Sequence, residues 1–163
     1  DTYYVVAHLH YVFIGGTIFG LLSGLFYWFP KMTGKMLNEK LGRWFFWLFV
    51  IGFNLTFLVQ HVLGMLGMPR RVYTYPDIPW YKTLNLMSTS GAFLMGVAAL
   101  ILLYCIVKSI RYGKSAGDNP WKACTLEWAT NSPPPLKNFE ALPEVHSIRP
   151  LWDDDDFTKM TNL

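Results

Sequence analysis

Charged residues divide this chain into blocks. Positions 2–30, 44–69 and 83–107 hold no Asp, Glu, Lys or Arg, which leaves uncharged stretches of 29, 26 and 25 residues. A helix crosses the hydrocarbon core of a bilayer with about 20 apolar residues, so each stretch is long enough to span. Backbone polar groups in lipid must be satisfied within the segment, which selects helices over strands. The pattern predicts three transmembrane helices at about residues 3–29, 44–66 and 83–107. Pro30 is expected to stop the first, and Gly67 with Pro69 to end the second. The following loop, GMPRRVYTYPDIPWYK, carries the prolines and aromatics expected near a membrane interface. From residue 108 onward no apolar periodicity is sustained; TLEW, PPP and DDDD mark an extended polar tail whose prolines suit it to lie along a partner surface. The expected fold is an all-α membrane protein, with residues 1–107 as the transmembrane part and 108–163 as the tail.

Composition supports this picture. Hydrophobic residues make up 52% and charged residues 15%, against about 25% charged in soluble domains. The net charge of +3 does not indicate a nucleic-acid partner, because the basic residues flank apolar spans and form no stripe. Lys31, Lys35, Lys40 and Arg43 in the first loop, and Lys108, Arg111 and Lys114 after the third span, place both regions, and the tail, on the cytoplasmic side. Arg70, Arg71 and Lys82 then fall outside, against the rule, so the arginine pair needs another reason. Cys105 and Cys124 suggest neither a disulfide framework nor a CxxC metal site. No positively charged n-region precedes the first span, which is also too long for the h-region of a signal peptide. A chain that opens almost directly in a span, without Met, is expected to be the C-terminal piece of a longer polypeptide.

The chemistry concentrates in VVAHLHYV. His8 and His10 lie in an apolar segment with no charged neighbour. On a helix, residues i and i+2 are about 200° apart around the axis and about 3 Å along it. The two imidazoles therefore point to opposite faces and cannot readily share one metal, but they can serve two sites. One reading makes them hydrogen-bonding partners for neighbouring helices. The other makes them iron ligands, since intramembrane ionisable groups are costly and usually functional, and a neutral imidazole on iron buries no charge. Heme is the natural partner, because histidine is its common axial ligand. Heme propionates require cations, and Arg70 and Arg71 fall at the same membrane depth as the histidines; the alternative for them is lipid headgroup contact. His61, Asn54, Gln60 and Asn85 are read as interhelical hydrogen bonders. Gly16, Gly20 and Gly24 form an i, i+4, i+8 ladder that admits a close neighbouring helix. His146 has no supporting constellation, and DDDD at 153–156 reads as solvated.

Three stretches carry a resemblance. DTYYVVAHLHYV, QHVLGMLGMPRRVYTYPD and TLEWATNSPPPLKNFEALPEV, in this order, resemble subunit I of the heme–copper terminal oxidases, over nearly the whole chain to about Asp153. The resemblance implies that the three spans match the last three of the family's twelve core helices. It implies four-electron reduction of oxygen to water with electrons from cytochrome c, coupled to proton translocation, in a bacterial plasma membrane rather than a mitochondrial inner membrane, since the tail is more similar to bacterial members. His8 matches the axial ligand of the high-spin heme, and His10 matches one of two axial ligands of the low-spin heme. Arg70 and Arg71 match the arginines that hold the propionates, and Asp1 matches a carboxylate of a magnesium site. Leu9 stands where many members have Phe. The implied cofactors are two hemes of the heme A type and a copper ion held by upstream residues. The second low-spin ligand, the cross-linked tyrosine and the proton-channel residues also belong upstream. The implied partners are the rest of subunit I, subunits II and III, cytochrome c and lipid. By itself the chain is expected to be inactive. A quinol oxidase with the same core and a non-catalytic membrane homologue are the rival readings.

Overall fold

The computed structural model of the chain describes residues 1–139 and 143–153; from Asp154 onward the DDDD run lies outside the described residues. Among the described residues three helical spans are long and apolar enough to cross a membrane: Tyr3–Thr33, Glu39–Met65 and Pro79–Tyr112. No strand is present among them; two isolated bridges, Thr2 with Pro69 and Lys35 with Ser115, are the only extended pairings. The first span comprises α1 (Tyr3–Val12), a π-helical turn (Phe13–Ile18) and α2 (Phe19–Thr33). Helix α3 is Glu39–Met65, α4 is Pro79–Tyr112, and a one-turn α5 is Pro150–Asp153.

The second and third spans extend past their uncharged stretches. Helix α3 starts at Glu39, whose carboxylate suits a helix N-terminus, and α4 starts at Pro79, whose fixed φ and missing N–H suit a first helical position. The expectation that Pro30 stops the first span is corrected: α2 runs through it to Thr33. A proline so close to the end removes a single intrahelical bond. The turn beyond it is secured by the Gly34 amide donating to the Pro30 carbonyl at 2.7 Å and by the Thr33 hydroxyl donating to the Phe29 carbonyl at 2.8 Å.

Asp1–Ser23 and Glu39–Cys105 form one compact unit. Helix α3 ends as the sequence predicts, at Gly67 in a left-handed conformation with φ +88°. The Met68 amide donates to the Leu63 carbonyl at 3.0 Å and the Gly67 amide to the Gly64 carbonyl at 3.1 Å, the paired bonds of a Schellman turn. The apolar contact that accompanies this turn is present too, since Leu63 and Met68 are buried together with Tyr81. The start of α1 is tied to the same turn: the Tyr3 amide donates to the Met68 carbonyl at 3.0 Å, and the Arg70 amide to the Asp1 carbonyl at 3.1 Å. Helices α3 and α4 meet backbone to backbone at Gly52 and Gly91, where a Cβ on Gly52 would lie 2.8 Å from the Gly91 carbonyl oxygen. By contrast, a Cβ on Gly16 or Gly20 would meet nothing within 4 Å among the described residues, so none of the described helices fills that part of the glycine ladder.

Gly24–Asn38 and the described part of Ile106–Leu163 form the second unit. The tail there is extended apart from one 3-10 turn, Leu126–Trp128, and α5. Its stretch from Asp118 to Asn131 lies against this chain's own 24–38 segment. Trp128 is buried, and its indole N–H donates to the Tyr27 hydroxyl at 3.0 Å. The Trp121 indole N–H donates to the Tyr27 carbonyl at 2.9 Å. Lys31 is buried with its ammonium donating to the carbonyls of Asp118, at 3.0 Å, Thr130, at 2.5 Å, and Asn131, at 3.4 Å. The same ammonium sits 5.1 Å from the centre of the Trp128 ring, a cation–π contact.

Candidate functional site

Helix α1 is regular over the histidine pair, so its geometry separates the two rings as the spacing requires. His10 turns toward α3 and is half-buried, its ring stacked on that of Phe57 with centroids 4.3 Å apart and planes 13° apart. His8 is exposed and has no hydrogen-bond partner among the described residues. The His10 Nδ1 lies 2.7 Å from the Val6 carbonyl oxygen. A carbonyl only accepts, so Nδ1 carries a proton, and in the neutral ring Nε2 then keeps its lone pair. That is the tautomer a metal ligand needs, with its other nitrogen already bonded to a carbonyl.

The α1–α3 seam that holds His10 has a repeat of its own. Tyr4, Ala7 and Tyr11 of α1 face Asn54, Phe57, His61 and Gly64 of α3, at spacings of three and four residues. Ala7 and Gly64 are fully buried. A Cβ on Gly64 would collide with the backbone of Tyr4, so the two helices touch there because position 64 has no side chain. The Tyr11 hydroxyl donates to Asn54 Oδ1 at 2.7 Å, which crosses the seam as expected for Asn54. Gln60 also crosses between helices, its amide donating to the Ser88 hydroxyl of α4 at 3.1 Å. Two expectations change. The His61 Nδ1 bonds the Phe57 carbonyl of its own helix at 2.9 Å, and its contacts across the seam are the ring edges of Tyr4 and Tyr11 at 5.0 and 5.2 Å. Asn85 donates to the Tyr81 carbonyl of its own helix at 2.7 Å, and reaches outside it only to the Met68 sulfur at 3.5 Å. In both cases a carbonyl one turn back is nearer than any partner on another helix.

At the end of this unit Arg70 is ion-paired with Asp1. Two backbone bonds between residues 1–3 and 68–70 hold the pair in register. The Asp1 side chain is 86% exposed, whereas that of Arg70 is 26% exposed. Arg70 Nε is buried without a hydrogen-bond partner. An orphan guanidinium donor of this kind fits an anionic group that approaches Arg70 from the side not taken by Asp1. Arg71 is exposed and holds φ +61°, a left-handed conformation that a non-glycine residue adopts at a cost. For magnesium the fit is poor: Asp1 is already paired with Arg70, and no group of three His, Cys, Asp or Glu side chains that could hold a metal occurs among the described residues. Sequence reasoning did not single out Phe57 or Gly64; the three- and four-residue spacing from Asn54 to Gly64 was the signal that could have found both.

A family model described as cytochrome c and quinol oxidase polypeptide I matches residues 1–94. The chain is 51% identical over 153 residues to cytochrome c oxidase subunit 1 of Alkalihalophilus pseudofirmus, covering 93% of this chain and 24% of that protein. It is 52% identical over 153 residues to cytochrome c oxidase subunit 1 of Bacillus subtilis, covering 93% and 25%. It is also 52% identical over 150 residues to quinol oxidase subunit 1 of Bacillus subtilis, covering 90% and 23%. The chain thus spans about a quarter of the length of these curated relatives.

Proposed function

The chain belongs to the cytochrome c and quinol oxidase polypeptide I family, and on that premise we propose that it forms part of the catalytic subunit of a bacterial respiratory terminal oxidase. The assembled enzyme reduces oxygen to water with electrons from cytochrome c, coupled to proton translocation, in the plasma membrane. Subunits II and III and the remaining length of this polypeptide complete it. The observation that carries this reading is the state of the two histidines on α1. His10 has its Nδ1 proton committed to the Val6 carbonyl and Nε2 free, and His8 has both ring nitrogens without a partner.

In this reading His8 would hold the high-spin heme iron and His10 would be one of the two residues that hold the low-spin heme iron. The hemes, of the A type, supply the redox chemistry when bound, with copper and the other low-spin ligand held by parts of the polypeptide outside this chain. The residues here bind and orient. Helix α1 fixes the spacing between the two ligand positions, and the Val6 carbonyl anchors one edge of the His10 ring. Arg70, through its buried Nε, and Arg71 neutralise propionates. Asp1 restrains the Arg70 guanidinium through one of its terminal nitrogens. No step is assigned to magnesium, because Asp1 offers it a single carboxylate that is already paired. The tail and the first loop lie on the cytoplasmic side, as their lysines and arginines favour.

The test is spectroscopic and uses the complete complex. His8→Ala is expected to abolish the carbon monoxide difference spectrum and oxygen turnover while the low-spin heme remains. His10→Ala is expected to remove the low-spin heme. Retention of two normal hemes in both variants would overturn the ligand assignment. Because a quinol oxidase subunit matches as well as the cytochrome c oxidase subunits do, the donor is tested separately: membranes should oxidise reduced cytochrome c, and oxidation of quinol alone would reassign it.

A further inference from the structure

Within the seam one side chain touches His10 in a way that packing alone does not require. Phe57 is 8% exposed and lies face to face with the imidazole, 4.3 Å away and nearly parallel at 13°. The other aromatic contacts along this seam are tilted or edge-on: Tyr11 with Phe53 at 48°, Phe53 with Phe57 at 52° and Tyr11 with His61 at 71°. The bond from Nδ1 to the Val6 carbonyl fixes one point of the imidazole edge. One point does not fix a plane, since the ring can still rock about the line from Cβ to that contact; the terminal torsion of a histidine is broad. A flat face at van der Waals distance removes the remaining freedom. Phe57 also packs on Phe53, with centroids 5.3 Å apart and the rings tilted.

We propose that Phe57 is a positioning residue that sets the plane of the His10 imidazole, and through it the electronic state of the low-spin iron that His10 would ligate. The inference rests on the ligand assignment for His10 made above. For an iron with two axial imidazoles, the relative orientation of the ligand planes governs the splitting of the iron d orbitals, and hence the anisotropy of the ferric resonance. Fixing one plane narrows the distribution of that anisotropy. The Phe57 backbone carbonyl also accepts the His61 hydrogen bond. Substitution of the side chain leaves that carbonyl in place, so the effect of the ring can be read separately.

The experiment uses the complete oxidase complex with Phe57→Leu, Phe57→Tyr and Phe53→Leu. Electron paramagnetic resonance of the oxidised enzyme and a redox titration of the low-spin heme are the readouts. Phe57→Leu should broaden and shift the low-spin signal and displace the low-spin midpoint potential, while the carbon monoxide spectrum of the high-spin heme stays as in the parent. Phe57→Tyr, which keeps the flat face, should restore the parental signal. Phe53→Leu, which removes a ring packed on Phe57 but not on His10, should shift it by clearly less than Phe57→Leu does. An unaltered signal in Phe57→Leu, or an equal shift in Phe53→Leu, overturns the proposal. Should Phe57→Leu fail to assemble, Phe57→Met takes its place. If the complex forms with Tyr but with neither aliphatic residue, Phe57 serves assembly and the proposal is likewise overturned. His10→Ala separates the two readings: if it keeps the low-spin heme, the functional assignment has failed, whereas a silent Phe57→Leu beside a His10→Ala that loses the heme sinks only the positioning role.

Discussion

The two compact units spend their polar groups differently. In the unit of Gly24–Asn38 and the described tail, polar groups close on one another. The Lys31 ammonium reaches three carbonyls and an aromatic face, the Asp118 carboxylate accepts the Ser132 amide at 2.8 Å, and Asn119 both donates to and accepts from the backbone of Ala123 at 2.8 Å. In the unit of Asp1–Ser23 and Glu39–Cys105, polar groups are restrained but left with capacity. His10 and His61 each bond a carbonyl one turn back and keep a second ring nitrogen, Arg70 keeps a buried donor, and Gln60 keeps a buried acceptor. Buried polar atoms without partners are costly, so a fold that holds several in one region holds them for a ligand, a water or a neighbouring helix. The closed region is a fastening, and the open region is where chemistry is to be sought.

The largest effect that would break this comparison comes from Gly64. A methyl group there meets the Tyr4 backbone rather than a flexible side-chain tip, so α1 must move off α3. Overpacking of this kind costs about 1–3 kcal/mol where neighbours can yield, and backbone yields least. Gly64→Ala should lower the heme-loaded complex recovered from membranes about 10-fold, the ratio that about 1.4 kcal/mol represents. Gly16→Ala adds the same methyl where no described residue lies within 4 Å and should give parental recovery. Equal losses in the two would show that a helix from elsewhere packs on the glycine ladder as tightly as α3 packs on α1.

Lys31→Met sharpens the contrast from the other side. Methionine has similar length but no donor, so the carbonyls of Asp118, Thr130 and Asn131 lose a shared cation. An unsatisfied buried group costs about 1–3 kcal/mol, enough to free the tail locally while the helices stay folded. Limited proteolysis of the solubilised complex should cut between residues 118 and 131 about 10-fold faster than in the parent, on the same conversion of free energy to ratio. Both heme spectra should stay unchanged. A shift in either spectrum would mean that the closed region also shapes the site.

These differences bear on what could be read from sequence. The three spans were legible because charge is excluded from lipid, and the end of α3 was legible because Gly67 and Pro69 are chemically suited to one turn. The separation of His8 from His10 followed from helix geometry alone. The passage of α2 through Pro30 was not legible, because whether a proline stops a helix depends on what secures the turn beyond it, here Thr33 and Gly34. The π-helical turn at Phe13–Ile18 left no mark stronger than the Gly15-Gly16 pair. Lys31 read as a loop cation obeying the positive-inside rule, because its three carbonyl partners lie 87 to 100 residues away and carbonyls have no sequence signature. Phe57 was one aromatic among many; only the angle between two rings distinguishes it.

The smallest expected effect tests whether the open unit is held by its aromatic seam or by the hydrogen bond that crosses it. The Tyr11 hydroxyl donates to Asn54 Oδ1 at 2.7 Å, and the Tyr11 ring also packs on Phe53 and His61. Tyr11→Phe deletes the hydroxyl and keeps every ring contact. Interhelical hydrogen bonds in membrane proteins average about 0.6 kcal/mol, because a separated helix finds other partners. Asn54 keeps its own bond to the Val50 carbonyl at 2.9 Å, so the amide left behind is only half orphaned. Thermal denaturation of the purified variant should therefore fall by no more than a few degrees, with the low-spin and high-spin spectra intact. A loss as large as that from Gly64→Ala would shift the weight of the seam from backbone approach to this one bond. It would also place the Tyr11–Asn54 pair among the groups that hold His61 and His10 in register.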